Sequence, residues 1–434
     1  MTAPTKKTAG TGTSFILPNL FNPKQKGFWI VLLLTITALG IILWKKFGKK
    51  AKVIGSETAL KTVKTRTSIT VPDYTLLFLD VLEGFSDNEF SVDNGLITAS
   101  YLEKQADFAT SAGMDGMLIA IPIDHVFQAD GTTDWKVVEH IFNYVNQKGL
   151  FIIAKLRMFP AKTYLFPSLN LSDFASGSSS VRFSSGFWDT YAKQFAQEYK
   201  DRFEVWHREG SILCVMPTGT DQQEWGYNSA SALHESSYGQ RIAQTNSRLH
   251  ELAEVFSPIS VGADSGSFFD SGASFGRGTS AVRDLVAKPN IKYVKDNPDH
   301  RYNIQFDAAL LLTTAKDKGG FAMAEHTNSP PGQVTTSVTE GIRTSIDSGI
   351  DIVGFAFVYD QAGQAVATEI IRNLKSSGHY RRRKTEWNPV GEVNYTTSEL
   401  QANGGYQGAI LNRFLDKVTQ NGGQLPRLTV TNDL

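Results

Sequence analysis

Cysteine is nearly missing from this chain: Cys214 is the only one in 434 residues. A lone cysteine excludes an intramolecular disulfide and any cysteine-rich metal site. It lies within the apolar run Ile212-Leu213-Cys214-Val215, where an inert buried thiol is expected. Net charge is also lacking, because 43 Lys and Arg balance 43 Asp and Glu. Nothing therefore suggests a nucleic-acid or other polyanion partner. No glycine-rich phosphate fingerprint follows the first strand-like segment, which removes the main support for a doubly wound nucleotide-binding sheet. The apolar fraction of 41% and charged fraction of 20% exclude wholesale disorder.

One long uncharged run is present, residues 27–44. At about 1.5 Å per residue it reaches roughly 27 Å, enough to cross the hydrocarbon layer as a helix. Trp29 and Trp44 sit near its ends, where interfacial aromatics are favoured. No small-residue cleavage site follows, so an uncleaved single-pass anchor is expected, with residues 1–26 as a tail and 45–70 as a Lys- and Thr-rich tether. Lys45, Lys46, Lys49, Lys50 and Lys52 outnumber Lys24 and Lys26, which favours a cytoplasmic globular part. An extracytoplasmic globular part is the other orientation, and both stay open.

Beyond the tether, strand and helix signals alternate. Apolar segments at 74–81, 116–122, 150–154, 211–216, 258–263, 302–306, 320–324 and 352–357 are separated by helical periodicity. Eight such segments predict a (β/α)₈ barrel over 71–377, followed by an extension over 378–434. Within that extension the basic cluster Tyr380-Arg381-Arg382-Arg383-Lys384 is expected to be a solvated loop rather than a phosphate contact.

Active sites of this fold sit at the C-terminal ends of the strands. The fourth and seventh segments each run into a carboxylate-bearing polar turn, carrying Glu224 and Glu325. Two carboxylates facing one cleft are what glycosidic bond cleavage requires. Other polar residues at predicted strand ends are expected to line the cleft and hold sugar hydroxyls: Asp80, Asp124, Arg157, Asp264, Asp307, His326 and Asn328. Trp225, Tyr227 and Tyr359 are the candidates for stacking on sugar faces. Asp124-His125 lacks the spaced partners of a metal site, and no metal or cofactor is expected. Gly272-Ala273-Ser274-Phe275-Gly276 matches a nucleophile-elbow pattern but lies in a Gly- and Ser-rich loop, not between strand and helix.

Several segments in order along the chain carry a resemblance. Residues 113–122 are followed by Asp134-Trp135-Lys136-Val137-Val138, then by Lys148-Gly149-Leu150, and helix 191–200 precedes the fourth segment. The region 74–377 is similar to the glycoside hydrolases of clan A. The resemblance implies a retaining mechanism on an oligo- or polysaccharide, with the acid/base on strand four and the nucleophile on strand seven. Glu224 then protonates the leaving group and Glu325 attacks. In that clan an asparagine commonly precedes the acid/base; here Glu224 follows Gln223 and lies eight residues beyond Met216. Arg157 is the cation expected to keep Glu325 ionised, with His326 or Asn328 supplying hydrogen bonds. The alternative is a non-catalytic glycan-binding or scaffold barrel, since fold does not imply function.

Overall fold

The computed structural model describes residues 72–81, 90–93, 96–160, 162–174, 180–219, 238–264, 286–296, 303–326, 336–356, 361–404, 407–431 and 433. All fall in one compact unit, Arg66–Leu434. The expected anchor, residues 27–44, lies outside them. Among the described residues no helix is long and apolar enough to cross a membrane.

The chain starts with β1 (Leu76–Val81), an antiparallel hairpin of β2 (Phe90–Asp93) and β3 (Leu96–Ala99), and helix α1 (Ser100–Ala112). Then β4 (Gly116–Pro122), α2 (Lys136–Gln147), β5 (Phe151–Arg157), α3 (Lys193–Arg208), β6 (Ile212–Thr218) and α4 (Tyr238–Phe256) follow. The second half holds β7 (Val261–Asp264), β8 (Ile291–Asp296), α5 (Ile304–Lys316), β9 (Phe321–His326), α6 (Thr336–Ser348), β10 (Ile352–Phe355) and α7 (Gln361–Ser376). Strands β1, β4, β5, β6, β7, β8, β9 and β10 pair in parallel, and β10 returns to β1 to close the ring. This is the expected (β/α)₈ barrel.

The strands read as apolar runs because both faces are covered. Side chains alternate along each strand, so every second residue enters the barrel. Leu76 and Phe78, Ile153, Cys214 and Met216, Tyr293, Met323 and Ile352 fill it as one packed cluster. Gly116 leaves room for this filling, since a Cβ there would run into the Phe78 ring. Burial pushes the Cys214 thiol far above its usual range, in keeping with an inert core cysteine.

One strand lies elsewhere than expected. Within the segment expected as the sixth barrel strand, residues 303–306 instead start α5, whose N-cap Asn303 accepts the Phe306 N–H at 3.1 Å. The sixth strand is β8, in which Lys292 and Lys295 interrupt the apolar run. Helix α5 is buried on nearly all sides, which a helix apolar all round requires. Its outer face is covered by the C-terminal segment. That segment contains β11 (Glu392–Thr396), α8 (Ala409–Gln420) and β12 (Arg427–Thr431), with β11 and β12 paired in parallel. Phe306 meets the rings of Tyr395 and Phe414 at 6.1 and 5.1 Å, and the Leu428 N–H donates to Thr313 Oγ1 at 3.0 Å.

The basic cluster is solvated, as expected, with Arg381, Arg382 and Arg383 exposed, and it also forms ion pairs. Arg381 pairs with Asp115 at 2.8 Å, Lys384 with Asp351 at 2.6 Å, and Arg382 with Asp347. Asp115 immediately precedes β4 and Asp351 precedes β10, so these ion pairs clamp the N-terminal face, opposite the site.

Candidate active site

The apolar filling stops abruptly at the C-terminal ends of five strands. Two residues beyond Phe78, Ile153, Gly262, Tyr293 and Met323 come Asp80, Lys155, Asp264, Lys295 and Glu325. The two-residue step keeps each on the inward face. All five are at most 2% exposed. Lys155 Nζ lies 2.7 Å from Asp264 Oδ2, and Lys295 Nζ lies 3.1 Å from the same oxygen. Lys295 also pairs with Glu325, and the Asp80 carboxyl hydrogen-bonds that of Glu325.

Three carboxyl groups therefore share two ammonium groups in a site removed from water. Burying an unbalanced charge is costly, so one carboxyl keeps its proton. Burial, reinforced by the adjacent Glu325 charge, pushes Asp80 well above the usual carboxylate range. Burial also opposes ionisation of Glu325, but Lys295, the Asp80 hydrogen bond and Lys155 outweigh it and lower that carboxyl to about 2. Burial works against Lys295 as well, yet Asp264, Glu325 and Asp80 raise it well above its ordinary value. Glu325 is thus a fixed anion and Asp80 a neutral donor beside it.

Asp80→Asn offers a direct check, because asparagine keeps a neutral donor against Glu325. A carboxyl raised above its unfolded value of 3.8 contributes stability below that pH, and the contribution is lost as pH rises through the folded value. Removing it should leave the variant melting at or above the parent at pH 7, with the margin narrowing at pH 3. A melting temperature several degrees lower at pH 7 would contradict a protonated Asp80.

The remaining expected residues are dispersed. Asp80 and Asp264 belong to the ionic layer and are committed to its internal pairs. Arg157 follows Lys155 in the inward row of β5, and its guanidinium carbon lies 4.5 Å from the Phe159 ring centre. The cation beside Glu325 is Lys295 instead. Asp124 is buried after β4 and accepts the Lys162 N–H at 3.0 Å, next to a cavity of about 290 Å³ that includes His125 and Tyr164. Asp307 lies in the first turn of α5, not at a strand end. His326 occupies the outward alternation of β9 and its Nε2 meets Ser345 Oγ of α6 at 3.0 Å, away from the barrel interior. Glu224, Trp225, Tyr227, Asn328 and Tyr359 lie outside the described residues. No group of His, Cys, Asp and Glu among the described residues is arranged to hold a metal ion.

Sequence reasoning missed Lys155 and Lys295. Each interrupts an apolar strand, as in Ala154-Lys155-Leu156, and a lysine inside such a run signals a buried cation that needs a carboxylate.

No protein-family description and no curated protein matches the sequence. Solved structures do resemble the fold. GH5_18 from Bifidobacterium longum subsp. longum is 10% identical with a TM-score of 0.51, covering 83% of this chain and 92% of that one. GH5_18 from Streptomyces cattleya, solved with GlcNAc, is 11% identical with a TM-score of 0.50, covering 84% and 94%. A β-galactosidase from the Antarctic haloarchaeon Halorubrum lacusprofundi is 11% identical with a TM-score of 0.51, covering 82% and 66%. At such identities the shared property is the eight-stranded barrel.

Proposed function

We propose that this chain is a glycoside hydrolase that works with retention of configuration. The observation that carries the reading is Glu325, an ionised carboxylate fixed at the C-terminal end of the seventh barrel strand. A glycosidase nucleophile must be charged before attack, and Lys295 supplies the field that keeps it so. Glu224 is the acid that protonates the departing oxygen and then activates water. Retention requires the two carboxyl groups to lie about 5–5.5 Å apart. The energetics of the layer favour function as well. Replacing a buried ionic network by apolar side chains is often neutral or stabilising, so five charges are a poor choice for filling alone.

The same layer supports a second reading. Its charges satisfy one another, and Glu325 is only 2% exposed, which also suits a non-catalytic glycan-binding barrel.

We read residues 27–44 as its single-pass anchor, so a fragment beginning at Thr70 should be soluble and folded. That fragment, offered a panel of aryl and alkyl glycosides, is expected to release product with retained anomeric configuration by NMR. Glu224→Ala should slow alkyl glycosides far more than activated aryl ones, which need little protonation. Glycan binding without turnover on any member of the panel would hand the case to the second reading.

A further inference from the structure

Arg157 differs from the two lysines of the ionic layer. It follows Lys155 by two residues, so it sits in the same inward row one layer closer to the mouth. Lys155 and Lys295 are fully engaged by carboxylates in the layer below. Arg157 has no ion pair or hydrogen bond among the described residues, and its Nε is buried without a partner. The Phe159 ring, 4.5 Å from the guanidinium carbon, engages the cation through its π-system rather than through the N–H donors. Burial presses the guanidinium below its ordinary range, with the Asp124 charge opposing. A half-buried arginine left in this state destabilises the free protein. Its planar fork matches the two oxygens of a carboxylate or sulfate.

We infer that Arg157 is the seat of an anionic group on the ligand, so the saccharide is an acidic one. This rests on the carbohydrate reading above and narrows it. A uronic-acid carboxylate and a sulfate ester share the required chemistry.

The test uses the full chain in detergent and calorimetric titration. Glucuronic, galacturonic and mannuronic acids are compared with glucose, galactose and mannose, and the 6-sulfates of glucose and galactose form a separate arm. At least one acidic sugar should bind roughly 10- to 100-fold more tightly than its neutral counterpart, the scale of a charge-assisted hydrogen-bonded pair. Arg157→Gln should erase that preference while melting at or above the parent temperature. Arg157→Lys should retain part of it. The arm in which the preference appears identifies carboxylate or sulfate. Equal binding of acidic and neutral sugars, no binding of any acidic sugar, or an acid preference that survives Arg157→Gln would each overturn the inference. A lower melting temperature for Arg157→Gln with unchanged affinities would make the residue structural and overturn it too. Cleavage of neutral glycosides untouched by Arg157→Gln would leave the hydrolase reading intact and sink this one. Acid-selective binding without cleavage would do the reverse.

Discussion

Glu325→Gln should abolish glycoside cleavage and leave the barrel folded. Loss of a covalent nucleophile costs on the order of 10⁴-fold or more in turnover. The fold should survive because the ionic layer can rebalance. With Glu325 neutral, the charge that helps keep Asp80 protonated is gone. Asp80 then ionises and replaces the missing anion opposite Lys155 and Lys295. Single-turnover kinetics and circular dichroism check the two halves, and infrared difference spectra should show a protonated carboxyl disappearing. Retained turnover would remove Glu325 from the mechanism. Collapse of the fold would show that the layer cannot rebalance.

Lys295→Met carries the largest expected loss of stability. The lysine is 1% exposed and bridges Asp264 and Glu325. Its removal leaves Lys155 alone among three carboxyls. Breaking a buried pair from one side costs about 3–5 kcal/mol. The pH dependence follows from Glu325. In the parent its folded value, about 2, lies below the unfolded 4.5, so its stabilising contribution is present above 4.5 and lost as pH falls toward 2. The variant lacks the charge that lowers it, so its deficit should be greatest at pH 7 and much smaller near pH 3. Urea unfolding at both values measures this. A pH-independent deficit would point to lost packing instead. Combining Lys295→Met with Glu325→Gln should cost less than the sum of the singles, since both remove one interaction.

Much of the barrel was legible because β1, β4 and β9 are apolar runs with sharp polar ends. The sixth strand was not. In Ile291-Lys292-Tyr293-Val294-Lys295-Asp296 the inward Lys295 is neutralised by residues 31 and 30 positions away, Asp264 and Glu325, which no local pattern reveals. The competing segment 302–306 alternates like a strand, but Asn303 caps a helix whose apolar face continues through Leu312. Glu325 was legible because a carboxylate directly ends an apolar run. The inward positions of Asp80 and Asp264 were legible too, whereas their pairing with lysines was set only by closure of the ring. His326 was misjudged because one step along a strand reverses the side of the sheet. The basic cluster was rightly read as solvated, but its ion pairs were not legible, because the acidic partners Asp115 and Asp351 are distant in sequence.

The cover over α5 has a consequence for how the chain is made. Strand β12 follows every strand of the ring in the chain, so part of the surface that shields this helix is synthesised later than the ring. Ring and helices can be synthesised in full while the outer side of α5, including Phe306, still faces water. Such a nascent intermediate offers apolar surface to chaperones and to neighbouring chains. A truncation that removes β12 would therefore act like a lesion in the core, although every strand of the ring had already been made.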